Sequence, residues 1–158
     1  MTTVYVDAHA LVVGGAAGQA VRLAPDARSA MAHLREAGLQ VVLLGGADVI
    51  GGAEGAPSWA ELPELPEDAH GWMVVGDAAA CAQGRPCRHL RTILVGPAAP
   101  ARGLASRACD VEARDLTDAA LTILASEAMD PAREVAAPAA SKLDATAPHD
   151  TARPAPAL

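Results

Sequence analysis

The stretch Thr3-Val4-Tyr5-Val6-Asp7-Ala8-His9-Ala10-Leu11-Val12-Val13 runs from apolar, β-prone residues onto one carboxylate, then through small residues back into apolar sequence. Residues 3–7 do not alternate, which is the pattern of a central strand buried on both faces. In an open α/β sheet, ligands bind where the C-terminal ends of the strands form a crevice, so Asp7 is expected at that rim. A second strand-then-acid element, Trp72-Met73-Val74-Val75-Gly76-Asp77, is expected to bring another carboxylate to the same edge. Two acids on neighbouring strand ends are the usual skeleton of an oxygen-ligated divalent-metal site. Asp also commonly caps turns and helix starts, and the residues alone leave both roles open for Asp7 and Asp77.

Outward from this strand, Leu11–Val13 and Ala20–Leu23 read as the arms of a small hairpin flap over the rim. Pro25-Asp26 opens a helix whose inner face is Ala27, Ala30, Met31, Leu34 and Ala37, and Gly38 stops it. Leu39–Leu44 is a second strand, giving a βαβ unit. Residues 46–70 are broken by glycines and prolines, with at best a short helix around Ser58–Leu62. Trp72–Gly76, Arg91–Val95 and Cys109–Glu112 complete the strands, the last as a short edge. Asp77 is placed to cap a short helix that ends at Gly84. Asp115-Leu116-Thr117-Asp118 resembles a capping box, and Ala120, Leu121, Leu124 and Ala125 are expected to line the inner face of the last helix. Residues 1–126 are therefore expected to form one domain, with 127–158 a disordered tail rich in alanine and proline.

The 158-residue chain carries a formal charge of −7, and its arginines are scattered, which argues against nucleic acid and anionic membranes as partners. From Asp48 to Asp68 there are six acids (Asp48, Glu54, Glu61, Glu64, Glu67, Asp68) and no lysine or arginine. This segment, with Trp59, is a candidate contact surface for a protein partner or an ordinary solvated loop. Cys81, Cys87 and Cys109 are read as reduced thiols, which places the protein in the cytoplasm. No charged segment leads into an apolar core, so a secretory signal is not expected, and the apolar runs are shorter than a membrane span.

The order of these pieces resembles the haloacid dehalogenase-like hydrolases, most of which are magnesium-dependent phosphatases. The resemblance covers roughly residues 3–126. It rests on a strand ending in Asp7, the flap, Leu23-Ala24-Pro25, Leu34-Arg35-Glu36-Ala37-Gly38, the Trp72–Asp77 and Thr92–Gly96 runs, and Cys109–Val111 leading into Asp115–Ala119. It implies a three-layer α/β/α Rossmann-like domain with a parallel sheet of order 5-4-1-2-3, and no cap domain. It also implies Asp7 as nucleophile, His9 at the acid–base position, Gly45 and Gly46 where phosphate is held, and Asp7 with Asp77 as ligands of Mg²⁺.

The chain departs from the family pattern at most of these positions. His9 stands where the family has its acid–base Asp, and Ala10 and Leu11 replace Gly-Thr. An imidazole can still exchange a proton near neutral pH. Gly45 lacks the hydroxyl that the second motif supplies, although backbone N–H groups there could cradle an anion. No lysine or arginine lies between Gly45 and Trp72 to balance a phosphate, and Arg85, Arg88 and Arg91 are distant. Cys81 replaces the second metal-binding acid and is a poor partner for a hard cation. Losing a single preorganised donor can cost about 3 kcal/mol of transition-state stabilisation. The expectation is a degenerate domain, weak or inactive as a phosphatase, with Mg²⁺ bound weakly if at all, and acting by binding. The alternative is a Mg²⁺-dependent phosphomonoester hydrolase forming an aspartyl-phosphate on Asp7, with a small phosphate ester as substrate. A receiver-like phosphorylation switch is a third reading, disfavoured by the missing lysine and hydroxyl.

Overall fold

A computed structural model describes residues 1–14, 20–45, 59–84, 87–96 and 109–130. Its centre is β1 (Thr3–Asp7), which is hydrogen-bonded in parallel on both sides, to β4 (Gln40–Leu44) and to β6 (His70–Val75). Pairing on both edges satisfies the main-chain groups of β1, and burial on both faces accounts for its unbroken apolar run. The sheet continues through β5 (Glu61–Leu62) beyond β4, and through β7 (His89–Val95) and β8 (Val111–Ala113) beyond β6. The order β5-β4-β1-β6-β7-β8 is parallel throughout. A separate antiparallel pair, β2 (Val12–Val13) with β3 (Arg22–Leu23), forms the expected flap.

This arrangement corrects the strand order. The strand at 72–76 does not lie beyond the second strand but pairs with β1 itself, so the five expected strands run 2-1-3-4-5. The cause is β5, which lies in the segment read as loop and takes the place beyond β4. Counted as the third strand, β5 restores the order 5-4-1-2-3, with β8 added at the far edge. No short helix forms at 59–62; Leu43 N–H donates to Ala60 O and Gly45 N–H to Leu62 O, so β4 recruits this stretch as an edge strand.

Helix α1 (Ala27–Glu36) buries Ala27, Ala30, Met31 and Leu34 as its spacing predicts, but Ala37, expected on the same face, caps the helix end and is exposed. The last helix divides its faces differently from the expectation. Counting the one-turn helix α2 (Cys81–Gly84), it is α3 (Leu116–Ala128), and it buries Leu116, Ala119, Ala120 and Ile123, while Leu121 is exposed. The inner face is therefore offset from the assigned one, because packing against α1 sets the helix's rotation. Asp26 links the two helices by accepting hydrogen bonds from Thr117 N–H (2.9 Å) and Thr117 Oγ1 (3.2 Å). Both helices cover one face of the sheet, meeting Val4, Val6, Trp72, Val74 and Ile93. The other face, with Tyr5, Val42, Met73, Val75 and Leu90, is closed among the described residues by the 62–69 connection, α2 and Cys87. The α/β architecture is thus confirmed, while the second helical layer is thin where it is described.

Asp115 caps α3 by accepting from Asp118 N–H at 2.8 Å, and Asp118 in turn accepts from Arg114 N–H at 3.0 Å. That main-chain hydrogen bond, opposed by some desolvation and aided by the Arg114 charge, holds the Asp118 carboxyl below its usual range. At the sheet's edge, Asp110 receives both the N–H (2.7 Å) and the hydroxyl (2.9 Å) of buried Thr92. The expectation of three reduced thiols is corrected: Cys81 and Cys109 are joined in a disulfide, with Cα atoms 5.4 Å apart, and Cys87 is free and buried. The sheet order brings together two cysteines separated by 28 residues, which chain spacing does not reveal. Helix α3 continues to Ala128, and Glu127 accepts hydrogen bonds from Thr2 and Trp72, so the packed region reaches past residue 126. The tail assigned to 127–158 lies, from residue 131 on, outside the described residues.

Three outcomes follow from these contacts. Gly71 has φ +110°, and a Cβ there would collide with Thr3 O, so Gly71→Ala is expected to destabilise the fold by about 3 kcal/mol in urea unfolding. Reducing the Cys81–Cys109 bond, or replacing both cysteines by alanine, is expected to cost ~2–4 kcal/mol, read as a lower urea midpoint. Because Asp118 titrates below its ordinary value when folded, its support of α3 is complete above that value and fades as pH falls through the folded one. Asp118→Asn should therefore flatten the acid limb of the stability–pH curve.

Candidate functional site

Asp7 ends β1 and caps the 3₁₀ turn Ala8–Ala10. Its Oδ1 accepts from His9 N–H at 2.9 Å and lies 3.0 Å from His9 Nδ1. An ionised carboxylate only accepts, so Nδ1 carries the hydrogen in this contact. The imidazole is 68% exposed and the carboxylate 19%, a largely solvated pair of small energetic weight that nevertheless orients Asp7. The turn seats on the end of β6: a Cβ on Gly76 would stand 2.9 Å from His9 O and 3.1 Å from Ala10 Cα. Only glycine lets the two strand ends approach this closely. Asp77 thereby reaches the same edge as Asp7, where its Oδ1 accepts from Ala79 N–H at 3.0 Å and caps the turn Ala78–Ala80.

A cavity of about 490 Å³ opens at this edge, bounded by Asp7 at the end of β1 and His9 in the turn after it, Leu44 at the end of β4 and Gly45 just beyond, and Pro63–Leu65 following β5. It lies on the β4–β5 side of Asp7, and Asp77, following β6, does not line it. Gly45 does line it, at φ +60°, but its N–H donates to Leu62 O at 2.9 Å and so points at protein. Gly46 lies outside the described residues.

Glu64 is the wall residue that sequence reasoning missed. The Glu-Leu-Pro echo at 61–66 read as surface loop, and only the pairing of β5 with β4 brings this stretch to the wall of the cavity. The described lining thus holds two carboxylates and one imidazole. Arg88 and Arg91 stand at the other end of the sheet, around the start of β7, and Cys81 is held by Cys109.

The residues present fit Mg²⁺ poorly. Asp7 and Asp77 each spend an oxygen on local N–H groups, and among the described residues no group of three His, Cys, Asp or Glu side chains could hold an ion. Magnesium would normally need an octahedral set of oxygens, several of them from water. No described helix is long and apolar enough to cross a membrane.

A scan against protein-family models finds no match, and neither does a comparison with curated proteins. Among solved structures, a D,D-heptose 1,7-bisphosphate phosphatase from B. bronchiseptica, crystallised with magnesium and phosphate, is similar at 14% identity and TM-score 0.55. The match covers 80% of this chain and 99% of the phosphatase. Together with the strand order and the flap, this shows that the chain shares the fold of that phosphatase.

Proposed function

We propose that this chain is a degenerate haloacid dehalogenase-like domain, weak or silent as a phosphatase, that acts by binding a protein partner. The observation that carries this reading is the composition of the cavity at Asp7. A phosphomonoester entering it meets Glu64 on the facing wall, an Asp7 carboxylate already bonded to His9, and a Gly45 N–H already committed to Leu62. Phosphoryl transfer depends mainly on positioning and on stabilising the charge of the transferring oxygens. A second carboxylate in the wall works against both. For the binding role, the described part of the 48–68 segment exposes Glu61, Glu64, Glu67 and Asp68, a surface complementary to a basic partner. Residues 46–58 lie outside the described region, and Trp59 is partly buried against the core. We retain the cytoplasm as the proposed location, although the paired Cys81 and Cys109 remove one reason for it.

The second reading, a Mg²⁺-dependent phosphomonoester hydrolase with Asp7 as nucleophile and His9 as acid–base, is favoured by one arrangement. Asp7 and Asp77 do sit at the ends of adjacent strands, as a family site requires. In that reading any Mg²⁺ between them is weakly held.

Activity and trapping assays separate the two. With millimolar Mg²⁺ and small phosphate esters, turnover is expected to match that of an Asp7→Asn variant, and beryllium fluoride should leave the backbone amide spectrum around Asp7 unchanged. Mg²⁺-dependent hydrolysis that disappears in Asp7→Asn would establish the enzyme instead.

A further inference from the structure

A larger cavity, about 700 Å³, lies at the opposite, N-terminal end of the sheet, beneath the last turn of α3. That volume falls in the range of small-molecule sites. His70 and His89 are register partners at the starts of β6 and β7, and Trp72 and Arg91 follow two residues on, so all four project from one face. Arg91 lies over the Trp72 ring, 5.3 Å from its centroid. A guanidinium over an indole face is attracted by the ring's π-electrons, and its N–H groups can still bond an oxyanion. Arg88, His89 and Arg91 are exposed, and among the described residues none is in an ion pair.

Two acids share the cavity, Glu127 and Asp130. Glu127 is turned to the wall, accepting from Thr2 Oγ1 at 2.8 Å and from Trp72 Nε1 at 3.0 Å. The lining is therefore divided, with a cationic wall on β6–β7 and an acidic helix end facing it. We propose that this cavity is a second ligand site, separate from the one at Asp7, for a small dianion such as a phosphate monoester or a dicarboxylate. Arg88 and Arg91 grip the oxyanion. Charge-assisted, bidentate contacts to guanidinium are the strongest hydrogen bonds available for such a ligand.

The Trp72 indole N–H is a built-in reporter, because it bonds to Glu127 beneath Arg91. The intact chain would be titrated with glycerol 3-phosphate and, separately, malonate while that resonance is followed, with Trp59→Phe assigning it. A saturable shift with at least one dianion, at a Kd of about 1 mM or tighter, is expected. The tighter of the two names the ligand class. Arg88→Gln and Arg91→Gln should each weaken binding about tenfold, and Asp7→Asn should leave it unchanged. Arg88 is exposed and makes no fold-holding contact among the described residues, so its variant tests binding without unfolding the chain. A shift absent with both dianions, reproduced by chloride at matched ionic strength, or retained in the double variant would overturn the proposal.

Discussion

The parallel hydrogen bonding of β1 to neighbours on both sides is the constraint from which the rest of the structure follows. A strand so placed must be apolar on both faces, and its direction decides which end of the sheet receives its last residue. Because β4 and β6 run the same way, the ends of three strands meet at one edge, and Asp7, Gly45 and Asp77 all arrive there. The chain leaves β1 toward β4 and β5 and then returns to β6 on the other side, which makes this edge the switch point of the sheet.

The same topology divides the two carboxylates. Asp7 faces a cavity built by β4 and the turn after β5, whereas Asp77 caps the turn that leaves β6. Strand adjacency brings acids near one another without making them converge on one ion. Around Asp7, the donors a phosphate would need are occupied by protein acceptors, and Glu64 adds negative charge. Arg88 and Arg91 lie at the far end of the sheet beside a cavity of their own, and Arg22 and Arg28, next to the flap, line a different cavity from the one at Asp7.

Much of the architecture was legible because it depends on local patterns. The apolar runs within 3–7, 39–44 and 72–76, the spacing of Ala27, Ala30, Met31 and Leu34, and the Asp115–Asp118 box each report a local physical requirement. Strand β5 was missed because two residues running into Pro63 have no periodicity, and only hydrogen bonds from β4 make them a strand. Leu121 was placed inside because α3 is apolar over more than one face, and only its contact with α1 selects the side containing Ile123. Glu64 was hidden for the same reason as β5.

By itself the sequence determined an α/β sheet built on a buried first strand, the flap, the principal helices and the two acids at strand ends, since all of these arise from neighbours along the chain. Tertiary structure alone decided the order of the strands, the bond between Cys81 and Cys109, and which side chains share a cavity. Those features join residues far apart in the chain, and their pairing is selected by how the faces of the sheet are covered, a property that no local window of sequence contains.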